Sequence, residues 1–412
     1  MRYGLLGEVL GHSFSKSIHN TLGGYSYDLI EVKRDDLGSF IKARNFTGLN
    51  VTIPYKETII PYLDQIDEAA KRIGAVNTIL NKNGSLHGYN TDFYGMRKLI
   101  AHAKISLKGK KVIILGTGGT SKTSYAVAKS LGAVEILRVS RYSGDGVITY
   151  EELYSNHFDA DVIINTTPVG MHPNSDKSPI EIDKFTSLCG VIDAVYNPIR
   201  TPLVLEAKKR KIRAEGGLYM LVAQAVRASE IFLDKKYEEK TVDRIMRRIT
   251  REKENIVLIG MPASGKSTVG KILEKKLGKR LIDTDKVIEA RAHKSISRIF
   301  ADEGEEYFRN LEAEVIKEIS MENGIIIATG GGSVLRPESV DNLKKNGKLY
   351  FVDRPLSQLI PTASRPLASN ATDIEKRYNE RYIIYSSVCD LRIDSNTSAP
   401  MTADKIIADY YS

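Results

Sequence analysis

Two glycine-rich turns constrain this chain most, because each sits where an apolar run gives way to a helical pattern. Residues 255–273 read NIVLIGMPASGKSTVGKIL, in which Gly260, Gly265, Lys266 and Ser267 satisfy G-x-x-x-x-G-K-[ST]. Residues 110–133 read KKVIILGTGGTSKTSYAVAKSLGA, with Gly116, Gly118 and Gly119 in the turn. Strand, turn and helix in this order belong to parallel α/β architecture. A chain holding two such turns of different design has reason to hold two nucleotide sites.

In the later turn the glycines let the backbone curl, so that successive N–H groups point at phosphate oxygens. The helix that follows adds its positive N-terminal end. Gly260, Met261, Pro262, Ala263, Ser264, Gly265, Lys266, Ser267 and Thr268 form the predicted ATP cradle. Lys266 would neutralise the β- and γ-phosphates, and the Ser267 hydroxyl would face Mg²⁺. The earlier turn, Gly116, Gly118, Gly119, Thr120 and Ser121, has the form of a dinucleotide fingerprint, with a pyrophosphate resting on the helix that begins near Ser121. The next strand, AVEILRVS, ends at Ser140-Arg141, where an NAD site usually places Asp or Glu. An arginine cannot accept from a ribose 2′-OH, but its fork matches a 2′-phosphate. The predicted cofactor is therefore NADP(H); a bare turn and a solvated strand-end cation are the competing readings.

Length and composition limit the alternatives. A chain of 412 residues, 42% hydrophobic and 27% charged, has material for two or three soluble domains. No apolar stretch is long enough for a membrane span, and the start, MRYGLLGEVLGHSFSKS, is too short in apolar residues for a signal peptide. Cys189 and Cys389 lie far apart without ligand spacing, which fits a reducing cytoplasm. A net charge of +9 favours anionic partners, but the basic residues are dispersed among acids. Small phosphates and carboxylates are expected rather than nucleic acid or a membrane.

Along the chain, RYGLLG, YDLIEV and GLNVTIP read as strands in the first part, and KKVIILG, AVEILRVS, ADVIINTT and CGVIDAVY in the second. The stretch 234–254 is highly charged with apolar residues at helical spacing. It reads as a surface helix, a linker, or one running into the other. Strand–loop–helix order restarts at Asn255, so a domain boundary is expected near 250.

Seven further segments resemble, in order, the shikimate dehydrogenase family over about 1–235. They are GHSFSKSIHN (11–20), GLNVTIPYKE (48–57), GAVNTI (74–79), GYNTDFYG (88–95), INTTPVGM (164–171), VYNPIRTPL (195–203) and GGLYMLVAQA (216–225). Lys16 departs from the family's usual proline. Residues 254–412 resemble shikimate kinase through LIDTDKVIE (281–289), GEEYFRNLE (304–312), ATGGGSV (328–334), SRPLA (364–368) and RYIIYSSVCDLRID (381–394). Here the departure is a short 353–365, with Pro361 near where the family commonly has an arginine touching the nucleotide base. The implied architecture is a substrate domain over 1–95, to which a helix at about 218–235 returns, and a Rossmann NADP domain over 96–217. A charged linker or helix over 234–254 and a P-loop kinase domain with a parallel sheet over 255–412 complete it.

The resemblance implies two consecutive reactions: NADPH-dependent reduction of 3-dehydroshikimate to shikimate, then ATP-dependent phosphorylation of shikimate at its 3-hydroxyl. For the first, Lys56 and Asp92 are the implied acid/base pair, and Ser13 and Ser15 the paired donors. Asn50, Thr52, Asn77, Tyr196 and Gln224 offer polar groups to a polyhydroxy ring, and Gly217 joins the cofactor residues. For the second, Asp285 would hydrogen-bond ring hydroxyls, and Asp283 would sit beside Mg²⁺ with Ser267. Arg309 and Arg381 would grip the substrate carboxylate, Gly331 and Gly332 would present backbone N–H groups, and Arg365 would close a lid. The rivals are a sensor that binds such ligands without turnover and a quinate/shikimate dehydrogenase using NAD⁺, which Arg141 disfavours.

Overall fold

Runs that are apolar at every position suit strands covered on both faces, and such runs form the centres of the sheets here. The computed structural model describes residues 2–11, 13–359 and 371–412, with 371–374 in backbone only. The chain divides into two units, Met1–Ile249 and Thr250–Ser412.

The first unit contains two six-stranded sheets. One is built from β1 (Tyr3–Gly7), β2 (Tyr27–Glu31), β3 (Gly48–Val51), β4 (Gln65–Ile66), β5 (Thr78–Lys82) and β6 (Ser85–Tyr89), in the order β2-β1-β3-β5-β6-β4. β1 pairs in parallel with β2 and β3, whereas β5 runs antiparallel to both β3 and β6. The β5–β6 hairpin was not among the strands read from the sequence. Its turn is Asn83-Gly84, with φ of 52° and 91°, the left-handed pair that suits a two-residue connection between twisted strands.

The second sheet is wholly parallel. Its strands are β7 (Lys111–Leu115), β8 (Glu135–Ser140), β9 (Val147–Thr149), β10 (Val162–Asn165), β11 (Gly190–Asp193) and β12 (Arg213–Glu215), ordered β12-β11-β10-β7-β8-β9. The four central strands are those the apolar runs predicted. The edge strands β9 and β12, three residues each, are too short to show a pattern. The helix Leu218–Leu233 serves both sheets. Leu218 and Val222 join the core around Val112 and Ile114, while the Phe232 ring lies 5.2 Å from that of Tyr3. A Cβ at Gly48 would stand 2.6 Å from Phe232, so the close approach requires glycine.

The charged stretch folds as the helix Thr241–Lys253. Val242, Ile245 and Ile249 are buried and pack with Ile100 and Val222, which gives it one apolar face, and the division between units falls inside it.

The second unit holds five parallel strands: β13 (Asn255–Ile259), β14 (Leu281–Asp283), β15 (Ile326–Ala328), β16 (Gly347–Asp353) and β17 (Leu391–Asp394), ordered β14-β15-β13-β16-β17. In both parallel sheets the strand that feeds a glycine turn is interior: β7 lies between β10 and β8, and β13 between β15 and β16. Chain connections leave such a strand in opposite directions and open a crevice at its carboxyl end, where ligands bind in this class of fold.

Candidate active sites

Lys56 stands in a short helix directly after β3, and Asp92 opens the helix Asp92–His102 after β6. The Lys56 Nζ lies 2.6 Å from Asp92 Oδ2, with the lysine side chain 15% and the aspartate 7% exposed. The glycine turn after β7 packs on the stem of this lysine: a Cβ at Gly119 would come within 3.3 Å of Lys56 Cβ. Asn90 Nδ2 donates to Thr123 at 3.2 Å, and Lys122 pairs with Glu57 at 2.5 Å, so the segments after β3 and β6 meet the helix after β7 around the pair.

The predicted polar residues fall into two groups. Asn77, Thr91 and Gln224 form one network: Asn77 Oδ1 accepts from the Thr91 N–H at 2.7 Å, and the Thr91 hydroxyl reaches Gln224 Oε1 at 3.4 Å. Asn50 joins its edge, donating to Thr78 at 3.1 Å and accepting from Tyr27 at 2.8 Å. His19, stacked on Tyr27 with ring centroids 3.9 Å apart, is held neutral, since burial lowers its pKa to about 3. The second group lies around Ser13. Its hydroxyl accepts from the Ser15 N–H at 3.2 Å and bonds to Tyr196, whose phenol burial pushes above its usual range. Thr52, just past β3, is partly exposed.

The residues present fit a dinucleotide with a 2′-phosphate. Gly116 has φ +106°, and a Cβ there would lie 2.8 Å from Thr166 Oγ1; Gly118 has open space around it. The Ser121 hydroxyl donates to the Gly116 carbonyl at 2.6 Å and fixes the curl. Thr120 stands in the first turn of the helix Gly119–Ser130, whose N-cap Gly118 makes no side-chain cap bond. Arg141 follows Ser140 at the end of β8, exposed and without a carboxylate partner among the described residues, a free fork for an anion. Gly217 packs its Cα against the Ala194 carbonyl, which leaves no room for a side chain. A cavity of about 610 Å³ opens beside the same helix, lined by Arg72, Lys122, Tyr125 and Arg138 among others, and contains none of the predicted cofactor residues.

Sequence reading missed the group that fastens the strand ends of this sheet. Asp193, the last residue of β11, is fully buried; it accepts from Asn165 Nδ2 at 2.9 Å, the Val195 N–H at 3.0 Å and the Thr201 hydroxyl at 2.6 Å. Burial raises its carboxyl to about pKa 7 against these three bonds. It ties the INTTPVGM loop to the loop that carries Tyr196.

In the second unit the phosphate cradle is built as its glycines require. Gly260 has φ +146°, Gly265 +94° and Ala263 +64°, so three residues of the turn are left-handed. A Cβ at Gly260 would lie 2.7 Å from the Val352 carbonyl. Met261 and Ser264 are buried, and Thr268 is exposed on the first turn of the helix Lys266–Leu277. Lys266 Nζ donates to the Gly260 and Met261 carbonyls at 2.8 and 2.9 Å, which poises the ammonium over the cradle.

Ser267 Oγ donates to Asp283 Oδ2 at 2.6 Å, and Asp283 Oδ1 accepts from the Asp285 N–H at 3.1 Å. A hydroxyl and a carboxylate side by side are hard oxygen donors that suit Mg²⁺ shared with phosphates. Asp285 and Glu312 converge on Gly330, where a Cβ would lie 2.7 Å from an oxygen of each. Arg309 Nη1 donates to Glu312 Oε2 at 2.6 Å. Burial works to lower the Arg309 pKa, but Glu312 and Glu305 outweigh it and the net shift is upward. Arg381 donates to the Gly331 carbonyl at 3.0 Å, and desolvation, aided by Arg377 and Arg309, lowers its pKa. Gly331 packs against Pro262 and Gly332 against the Arg309 guanidinium, both too closely for a Cβ.

Glu312 went unnoticed in the sequence although Arg-x-x-Glu places both residues on one helix face. Arg365, Pro361 and the rest of the predicted lid lie outside the described residues.

Comparison with known proteins finds relatives for both parts of the chain. The family model for the shikimate dehydrogenase substrate binding domain matches residues 5–79, and that for shikimate kinase matches 262–411. An NADP(+) shikimate dehydrogenase of Clostridium beijerinckii is 38% identical over 255 residues, 58% of this chain and 94% of its own. One from Halothermothrix orenii is 40% identical over 264 residues, 57% of this chain and 91% of its own. Among solved structures, shikimate dehydrogenase 1 of Peptoclostridium difficile matches with TM-score 0.57 at 38% identity, covering 60% of this chain and 98% of that one. The Thermus thermophilus enzyme in complex with NADP(H) and shikimate matches with TM-score 0.54 at 28% identity, covering 60% and 99%. The chain thus belongs to the shikimate dehydrogenase family and carries, after that part, a shikimate kinase domain.

Proposed function

We propose that the chain reduces 3-dehydroshikimate with NADPH at the Lys56–Asp92 pair and phosphorylates the resulting shikimate with ATP at the 260–268 cradle. The observation that carries this reading is the approach of Gly119 to the Lys56 stem, which sets the cofactor turn against a lysine whose ammonium is partly desolvated and held by a carboxylate.

NADPH supplies a hydride to the ring carbonyl carbon. As the carbonyl π bond breaks, its oxygen gains negative charge, and Lys56 Nζ donates a proton to that oxygen. Asp92 orients the ammonium and balances its charge before transfer. Ser13, Ser15 and Tyr196 form the wall that receives the substrate carboxylate and hydroxyls, with Asn77, Gln224, Asn50 and Thr52 facing the ring from the other side. Arg141 takes the 2′-phosphate, and Gly217 is counted with the residues that bind the cofactor.

In the second reaction the shikimate 3-hydroxyl oxygen attacks the γ-phosphorus, and the bond to the β–γ bridging oxygen breaks to leave ADP. Ser267 and Asp283 would hold Mg²⁺, which would supply charge neutralisation across the phosphates. Asp285 orients the hydroxyl and accepts its proton, Lys266 meets the γ-phosphoryl oxygens, and Arg309 and Arg381 hold the carboxylate, with Gly331 and Gly332 beside them. Arg365 completes the site from the lid. The substrate domain is assigned to 1–95 with the helix near 218–235, the NADP domain to 96–217 and the kinase domain to 255–412. A cytoplasmic location goes with this reading: both cysteines are free, and no helix among the described residues is long and apolar enough to cross a membrane.

Two assays on one preparation test it: NADPH oxidation against 3-dehydroshikimate, and ADP release from ATP with shikimate. Lys56→Ala is expected to abolish the first and spare the second, and Lys266→Ala the reverse. A wild-type chain silent in either assay would overturn the corresponding half.

A further inference from the structure

We propose that Arg354 is a nucleotide-binding residue of the kinase unit, its guanidinium meeting the polyphosphate where the backbone of Gly265 cradles it. This rests on the reading of 260–268 as the ATP site.

Arg354 is the first residue after β16, whose pairing with β13 sets Phe351 opposite Ile259 and so brings its end beneath the turn that begins at Gly260. The Val352 carbonyl, 2.7 Å from the place of a Gly260 Cβ, shows how closely the two segments run. The guanidinium points at the cradle: its Nη1 lies 3.8 Å from where a Cβ on Gly265 would stand, and little else fills the space beside that glycine.

The electrostatic setting is unusual for an arginine. The Asp353 carboxylate next to it is taken by Arg392, at 2.7 Å, and by the Tyr382 hydroxyl at 3.4 Å. Arg354 itself has no carboxylate or hydrogen-bond acceptor among the described residues, and its Nε is buried without a partner. A desolvated donor left unpaired costs free energy that water would otherwise have supplied. The other two arginines of this unit's site among the described residues are satisfied, Arg309 by Glu312 and Arg381 by the Gly331 carbonyl. Arg354 alone of the three waits for an acceptor, and the cradle exists to hold a polyanion. A planar guanidinium suits two phosphate oxygens at once, which the point charge of Lys266 cannot do.

The test compares ADP and adenosine as inhibitors against ATP, in wild type, Arg354→Ala and Arg354→Lys. The expected result for Arg354→Ala is a KM for ATP and an inhibition constant for ADP each raised about tenfold or more, with adenosine unaffected and the KM for shikimate unchanged. The lysine variant should recover part of the loss, because it restores charge without the fork. Unchanged ADP inhibition in Arg354→Ala would overturn the proposal. Equal weakening of adenosine and ADP would also overturn it, by locating the contact on the base. Lys266→Ala, assayed alongside, separates the proposal from its premise: a Lys266 variant that still phosphorylates sinks the reading of the loop, whereas an Arg354 variant that behaves as wild type beside a dead Lys266 variant counts against Arg354 alone.

Discussion

The Lys56 ammonium and the Asp92 carboxylate lie 2.6 Å apart at the junction of the substrate sheet and the dinucleotide turn, although 36 residues separate them in the chain. A lysine so placed is restrained twice. Asp92 holds Nζ against rotation of a flexible stem, and the turn at Gly119 packs on the stem itself. Proton donation from a positioned group then requires no search by the side chain.

Lys56→Ala removes the donor and is expected to lower kcat for 3-dehydroshikimate reduction by about 10²–10⁴-fold. Asp92→Asn keeps the shape but leaves the ammonium without its counter-charge, so a smaller fall is expected, confined to the same reaction. The phosphorylation rate of the same preparations, which should not change, checks that the chain is intact.

Arg141 has no carboxylate partner among the described residues, so its fork is available to a phosphate. Arg141→Ala should raise the KM for NADPH roughly ten- to a hundredfold, the range for losing a charged hydrogen-bonded contact, and leave that for NADH nearly unchanged. Steady-state rates with the two cofactors decide it; an equal loss for both would remove the 2′-phosphate from the account.

The strands that carry the sites were legible because β7, β10 and β13 are continuous apolar runs ended by a glycine or polar turn. The β5–β6 hairpin was less so. Its residues entered the reading as motif blocks on either side of Asn83-Gly84 rather than as an alternating pattern, and β5 pairs against the direction of the sheet's first strands. The Lys56–Asp92 pair came from a resemblance, since nothing in the spacing of two residues on different elements indicates a contact. Asp193 was invisible for a related reason. One aspartate ending an apolar run looks like any strand-end carboxylate until Asn165 and Thr201 are seen to close on it. Glu312 was readable in principle, three residues after Arg309 on one helix, but its worth depends on burial, which a local spacing does not report.

Asp193 makes stability depend on pH. Its carboxyl is raised to about 7 by burial, against about 3.9 in an unfolded chain, so the folded state holds the proton more tightly. The resulting stabilisation is complete below pH 3.9, declines as pH rises, and is gone above about 7; it amounts to on the order of 4 kcal/mol. Asp193→Asn stays neutral throughout, and urea unfolding of the first unit followed from pH 5 to 8 should lose the downward slope that the wild type shows. A slope that survives in the variant would place its origin elsewhere.

Gly332 and Glu312 restrain the same guanidinium from opposite sides. A Cβ at residue 332 would run into Arg309, and Arg309 cannot swing away without leaving Glu312, 4% exposed, with which it pairs at 2.6 Å. Gly332→Ala should therefore displace the guanidinium from the place proposed for the shikimate carboxylate, raising the KM for shikimate about tenfold or more while the KM for ATP stays put. Glu312→Ala acts through stability instead. It leaves a buried cation with Glu305, half exposed and 3.1 Å away, as its remaining carboxylate. The loss should therefore be smaller than the about 3–5 kcal/mol of a fully stranded charge, and the unfolding transition of the second unit should fall before the first unit's dehydrogenase activity is touched. Should Glu312→Ala leave that transition in place, Glu305 suffices to hold the guanidinium, and Glu312 would be a positioning group for substrate rather than a pillar of the fold.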